Sequence, residues 1–151
     1  MKKIILGLFL ILGAISFAAP KYINTSKLEN TGYEITADDE DIFSIGKVTD
    51  VEAISILFYP MPDKTSKEVS DAVKSSAPDE VKFISSSENK RAYIIKFKAK
   101  DGSYTYSFVG KKPKVKNCYI STLYITNKDF KDNELDKVAD QTLNEIESYL
   151  K

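Results

Sequence analysis

The chain contains no histidine and no tryptophan, a single cysteine, and only 6 glycines among its 151 residues. The missing histidine removes the usual general base near neutral pH, the commonest metal ligand, and every catalytic triad or zinc motif built on that side chain. With Cys118 alone, no internal disulfide forms even in an oxidising compartment, so stability has to come from a packed core. The glycines include no phosphate-cradling loop, and no metal-ligand cluster or carboxylate pair stands at a recognisable spacing. A nucleophile such as Cys118 or a serine would need an unusual base. These absences point away from an enzyme and imply no cofactor or metal. There is no basic excess either. The 22 Lys and Arg residues balance 22 Asp and Glu, so nucleic acid is not expected as an electrostatic partner.

What is present begins with an address. Met1-Lys2-Lys3 precedes an apolar run from Ile4 to Ile15 and then Ser16-Phe17-Ala18-Ala19-Pro20. Charged start, apolar middle and small residues at 16 and 18 are the plan of a secretory signal peptide of bacterial style, with cleavage after Ala18. A retained anchor would need about 20 apolar residues, more than this run supplies. No cysteine stands near the cleavage point, which argues against a lipid-anchored protein. The mature chain from Ala19 onward would lose Lys2 and Lys3, leaving 20 basic and 22 acidic residues, a net of −2. The expected location is extracytoplasmic, secreted or periplasmic, with no membrane span after cleavage. At 42% hydrophobic and 29% charged, residues 19–151 suit one globular domain.

The clearest organisation runs from Arg91 to Thr126 and predicts an antiparallel meander. Tyr93, Ile95, Phe97 and Ala99 alternate with Lys96, Lys98 and Lys100, the pattern of a strand buried on one face. Asp101-Gly102 predicts a two-residue hairpin turn, after which Tyr104, Tyr106 and Phe108 alternate with Ser103, Thr105 and Ser107. A basic connection, Lys111 to Lys116, leads into a third run from Cys118 to Thr126, rich in β-branched and aromatic residues. Cys118 shares its alternation with Ile120, Thr122 and Tyr124, which predicts a buried thiol acting as a small hydrophobe rather than one that pairs with another chain.

Ahead of the meander, residues 21–30 predict an extended or loosely docked segment, and Tyr33 to Thr36 a first short strand. The block Asp38-Asp39-Glu40-Asp41 lacks the alternation, glycine and late glutamate of a calcium loop, and reads as a solvated turn. Strands are expected over Ile42–Ile45 and Val51–Tyr59, with a turn around Gly46 to Asp50. The second of these is apolar on both faces, as a covered central strand would be, and ends at Pro60-Met61-Pro62. Thr65-Ser-Lys-Glu68 is a capping box that opens a short helix with Val69, Ala72 and Val73 on its apolar stripe. Val81 and Phe83 begin another strand, and Ser85 to Lys90 reads as a polar turn. A long closing helix is capped by Asp132 or Asn133. Its stripe of Leu135, Val138, Ala139, Thr142, Leu143, Ile146, Tyr149 and Leu150 should lie across the sheet. The fold class is therefore α+β, a central antiparallel sheet with a short helix and a long C-terminal helix packed on it.

This order of elements, with Tyr119 to Ile125 leading through a polar loop into Leu135-Asp-Lys-Val138-Ala-Asp-Gln-Thr-Leu143, resembles the PsbP-like group, which includes the Mog1 and DcrB-type proteins. The resemblance covers roughly Tyr33 to Leu150. It implies an antiparallel sheet sandwiched by helices and a non-enzymatic role in binding or assembly, and it carries no site residues.

The expected function is thus a non-enzymatic, assembly-factor-like binding or interaction domain, with an envelope protein as partner. Tyr93, Tyr104, Tyr106, Phe108, Tyr119 and Tyr124 concentrate in the meander, either as cross-strand packing or as an aromatic binding surface, with Tyr104 and Tyr106 as the candidates for contact. The alternative is a protein that binds a small ligand, a lipid or an anionic surface of the envelope. Lys111, Lys112, Lys114 and Lys116 carry the anionic-surface form of that reading, set against a solvated loop whose lysines guard the sheet margin.

Overall fold

The computed structural model describes residues 20–38 and 42–151. The segment expected to be a signal peptide and the Asp39 to Asp41 part of the acidic block lie outside the described residues. Seven strands, β1 (Glu34–Asp38), β2 (Phe43–Val48), β3 (Glu52–Pro60), β4 (Val81–Glu88), β5 (Ala92–Ala99), β6 (Tyr104–Gly110) and β7 (Cys118–Thr126), form one antiparallel sheet in the order β1-β2-β3-β7-β6-β5-β4. Helix α1 (Ser66–Ser75) connects β3 to β4, and helix α2 (Asp132–Ser148) closes the chain. The fold is α+β, as expected.

Directly opposed residues of an antiparallel ladder share a face, so the register sorts the side chains. One row runs Ile56, Thr122, Phe108, Ile94 across β3, β7, β6 and β5, and the next runs Ile54, Tyr124, Tyr106, Lys96. These rows face α2, whose Leu135, Ala139, Leu143 and Ile146 complete a core that also contains Phe43, Ile45 and Phe58. The opposite face is thinner. Ala53, Ile95, Phe97, Val109 and Ile125 are buried there among Thr105, Ser107 and Ser121.

Several expectations change for physical reasons. β5 is covered on both faces, not one, because Ala92 and Ile94 pack toward α2 while Ile95 and Phe97 are buried beneath. Ser85 to Glu88 continue β4 instead of turning, since a bulge between Phe83 and Ser85 restores their pairing with β5. Gly46 likewise stays in β2, paired with Ser55, and the turn falls at Thr49 to Val51. The segment after Pro20 is docked: Ile23 and Leu28 are buried in the core, and Ile23 bridges Leu150. The β5–β6 loop has four residues, Lys100 to Ser103, instead of two, closed by Ala99 N–H to Ser103 O at 2.9 Å and Gly102 N–H to Ala99 O at 3.0 Å, with Gly102 alone at positive φ, 90°. Helix α2 starts at Lys131, where Glu134 accepts from the backbone N–H, so neither Asp132 nor Asn133 is the cap. Helix α1 turns Ser66, Val69 and Ser70 inward while Ala72 is exposed, because the sheet surface beneath is small and polar.

Both outer strands carry a bulge, β1 between Ile35 and Ala37 and β4 between Phe83 and Ser85, whereas the four inner pairings run without a register shift. A bulge twists an edge out of the geometry that a foreign strand would need.

Two outcomes follow from this packing. Phe108→Ala, at a fully buried ring, is expected to cost about 3–5 kcal/mol, against about 1 kcal/mol for Thr65→Ala at the exposed cap, read as urea midpoints at unchanged m. Burial raises the hydroxyl pKa of Tyr22, Tyr33 and Tyr124, and pushes that of Tyr149 up to about 12. In the unfolded chain these groups ionise near 10. The stability they contribute is complete below that pH and is lost as pH rises toward about 12. Tyrosinate absorbance should therefore rise in two phases, the second coinciding with loss of circular dichroism. A single non-cooperative rise would contradict the burial of these rings.

Candidate functional site

The local build of α1 places a groove. Thr65 Oγ1 accepts from the Glu68 N–H at 3.2 Å, and Glu68 Oε2 accepts from the Thr65 N–H at 2.7 Å. That backbone hydrogen bond, with the Thr65 hydroxyl, holds the Glu68 carboxyl below its ordinary pKa. The Ser66 hydroxyl then donates to the Lys111 carbonyl at 3.0 Å, tying the first turn of α1 to the β6–β7 loop. On the other side, the β4–β5 turn is locked by Asn89 Oδ1, which accepts from the Arg91 and Ala92 N–H groups at 2.8 Å each. Arg91 reaches α2, pairing with Glu147 at 3.1 Å and bonding Asn144.

Between α1 and this hairpin lies a groove of about 300 Å³, lined by Lys67, Ser70, Asp71 and Lys74 of α1 and by Ser86, Ser87, Glu88, Tyr93, Ile94 and Ile95 of the sheet. Tyr93 is its aromatic surface, with Lys111 Nζ 4.9 Å and Lys67 Nζ 5.8 Å from the ring centroid. Each of these cations also holds a carboxylate, Lys111 with Glu88 at 2.9 Å and Lys67 with Asp71. Lys74 Nζ sits 3.9 Å from the Phe83 centroid and has no ion pair among the described residues. The hydroxyls of Ser70 and Ser86 make no hydrogen bond among the described residues, whereas Ser87 stands opposite Ile94 and shares the α2 face. The groove therefore offers unused hydroxyls, an aromatic face and cations to a polar or anionic ligand group.

The residues singled out in the sequence do not form one site. Tyr104 starts β6 and Lys111 follows its end, so the strand separates them. Tyr106 is fully buried; its hydroxyl donates to the Lys128 carbonyl at 3.1 Å and accepts from the Phe130 N–H at 2.9 Å. It is core and presents no contact surface. Tyr104 is half-buried, stacked on Tyr106, with Lys96 Nζ and Lys98 Nζ 5.0 and 5.2 Å from its ring centroid. Lys96 bonds Asp129; that hydrogen bond raises the lysine pKa and lowers the carboxyl pKa. Lys111 belongs to the groove, whereas Lys112, Lys114 and Lys116 are exposed. Cys118 is buried beside Tyr22, and burial pushes its thiol pKa up. The groove residues of α1 and β4 escaped sequence reading, since Lys67, Ser70 and Lys74 show only the polar side of a short helix.

Among the described residues, no group of three or more His, Cys, Asp or Glu is placed to hold a metal ion, and no helix is long and apolar enough to cross a membrane. The class of protein defined here is a seven-stranded antiparallel sheet with helix α1 packed on one face and helix α2 on the other. Comparison with protein-family models, with curated proteins and with solved structures finds no match for this chain.

Tyr106→Phe strips partners from the buried Phe130 N–H and Lys128 carbonyl and is expected to cost about 1–3 kcal/mol. Tyr104→Phe should cost under about 0.5 kcal/mol, as at other surface positions. Equal losses in chemical denaturation would show that the two rings are not divided between core and surface.

Proposed function

We propose that this chain is an extracytoplasmic, non-enzymatic binding domain of the bacterial envelope, and that its partner or ligand occupies the groove between α1 and the β4–β5 hairpin. The observation that carries this reading is the groove itself. It is a concave site whose Ser70 and Ser86 hydroxyls make no hydrogen bond among the described residues and whose Lys74 ammonium, over the Phe83 ring, has no ion pair among them, beside the half-buried Tyr93 ring. Such a combination of an amphipathic ring with convergent polar groups suits recognition. The secretory pattern of residues 1–18 supports the location. A sheet with a helix on each face is also the arrangement that the PsbP-like resemblance implies, and it supports a binding or assembly role. The absence of histidine supports a non-enzymatic one.

A second reading, attachment to an anionic surface through the Lys111 to Lys116 loop, is favoured by the exposure of Lys112, Lys114 and Lys116 without ion pairs among the described residues.

The groove reading is tested by crosslinked capture from the producing cells, read by mass spectrometry, with Ser86→Tyr and Lys74→Glu beside the parent chain. Both positions are exposed, so stability should stay within about 0.5 kcal/mol. The expected result is a stoichiometric partner or bound small molecule that both variants lose. A partner retained by both variants removes the groove from the proposal.

A further inference from the structure

The groove has an order along its length that follows from how α1 lies on the sheet. Lys67, Ser70, Asp71 and Lys74 recur at steps of three and four and so share one side of the helix. Lys67 Nζ stands 5.8 Å from the Tyr93 centroid and Lys74 Nζ 3.9 Å from the Phe83 centroid, which aligns this side with the β4–β5 ladder. Along that ladder Glu88 opposes Tyr93, Ser86 opposes Ile95 and Phe83 opposes Phe97. One end therefore carries Tyr93, Glu88 and Lys111, the middle Ser70 and Ser86, and the far end Lys74 on Phe83. From Tyr93 to Phe97 the strand rises about 13 Å, and from Lys67 to Lys74 the helix rises about 10 Å. Ser70 is 4% exposed, and it lines the groove with a hydroxyl that makes no hydrogen bond among the described residues. A hydroxyl so far buried is ordinarily paired, which marks the groove as a place where a partner is missing.

We infer that the groove binds a disaccharide-sized sugar carrying one carboxylate, with a ring over Tyr93 and the carboxylate at Lys74. The inference rests on the groove reading above and adds the class of ligand. Charge makes the first selection. Three ammoniums border the groove, on Lys67, Lys74 and Lys111, against two carboxylates, on Asp71 and Glu88. Lys67 and Lys111 hold those two carboxylates, which leaves a single unmatched positive charge on Lys74. A multiply charged anion would meet Asp71 and Glu88, a cation would meet the lysines, and one carboxylate is matched. Hydrogen bonding makes the second selection. Ser70 and Ser86 each donate and accept, and each ion pair sets a donor beside an acceptor, the complement of sugar hydroxyls that also do both. Tyr93 offers an amphipathic face to the C–H side of a ring. Because Lys67 and Lys111 are tied to carboxylates, a ring can displace their ammoniums from that face without stripping them of their charge partners. The volume of about 300 Å³ is at the small end for ligand sites, as a ligand of one or two rings requires.

The test is amide chemical-shift titration of the full, isotopically labelled chain with two matched pairs of disaccharides, cellobiouronic acid against cellobiose and N-acetylglucosaminyl-N-acetylmuramic acid against chitobiose. In each pair only the first member carries a carboxylate. The expected result is a set of shifts centred on Ser70, Ser86 and Tyr93, with the acidic member bound about fivefold tighter. Lys74→Gln, at an exposed position, should bring the acidic members down to their neutral counterparts and leave those unchanged, and Tyr93→Leu should weaken every member about tenfold. No difference within either pair, or a preference that survives Lys74→Gln, overturns the placing of the carboxylate. Lactate alone binding as tightly as the acidic disaccharides overturns the sugar. If no saccharide binds in the groove while Ser86→Tyr and Lys74→Glu still lose the captured partner, the class of ligand is overturned and the groove reading survives. If no saccharide binds and both variants keep the captured partner, both fall.

Discussion

The pairing of β3 with β7 is the constraint on which the rest of this structure depends. Residues 52–60 meet residues 118–126 along the whole length of both strands, and among the described residues this is the only strand pairing between the β1–β2–β3 half of the sheet and the β4–β5–β6–β7 half. The remaining strand pairs join neighbours in sequence and close short loops. The β3–β7 ladder closes a long one and bears its entropy. Compensation comes from what it buries: Ile54, Ile56 and Phe58 lie opposite Tyr124, Thr122 and Ile120 on the face that α2 covers.

The end of the sheet at the start of β7 is built by that closure. Because β7 inserts beside β3, the connection between β6 and β7 falls next to the Pro60-Met61-Pro62 exit of β3. Because α2 returns across the sheet, its end lies against Tyr22 and Ile23 at the start of the domain. These two meetings bring Lys21, Lys64 and Lys151 to the end of the sheet that carries the β6–β7 loop. The groove has a different origin. Helix α1 is too short and too polar to cover its face of the sheet. It anchors through Val69 and Ser66 instead and leaves a channel toward the hairpin of β4 and β5. The two sheet edges are blunted by bulges, a geometry that disfavours addition of a foreign strand.

Much of this was legible in the chain. The alternation of Tyr104, Tyr106 and Phe108, the capping box at Thr65, the stop at Pro60 and the periodicity from Leu135 to Ile146 each predict an element that is present. Such signals are local, a matter of pleat, hydrogen-bond geometry and helical spacing. The failures share a cause as well. Ser85 to Glu88 looked like a turn because serines rarely fill a buried strand, yet an exposed edge strand accepts them once a bulge restores register. Which face of β5 is buried could not be read from alternation, since α1 covers one side and α2 the other.

The candidate sites divide along the same line. By itself the sequence determined the class of fold, the charged and then apolar N-terminal pattern, the lack of histidine and the presence of a basic loop, because composition and short-range pattern carry those properties. It grouped Tyr104 and Tyr106 with the lysines, although strand β6 sets Tyr104 and Lys111 at its opposite ends and Tyr106 spends its hydroxyl inside the core. Only the tertiary structure decided that Lys21, Lys64 and Lys151 would stand at the end of the sheet that carries the β6–β7 loop, and that Tyr93 would face Lys67 of α1. Those proximities depend on which distant strands pair, and pairing is settled by burial summed over the whole sheet, which no single stretch of sequence contains.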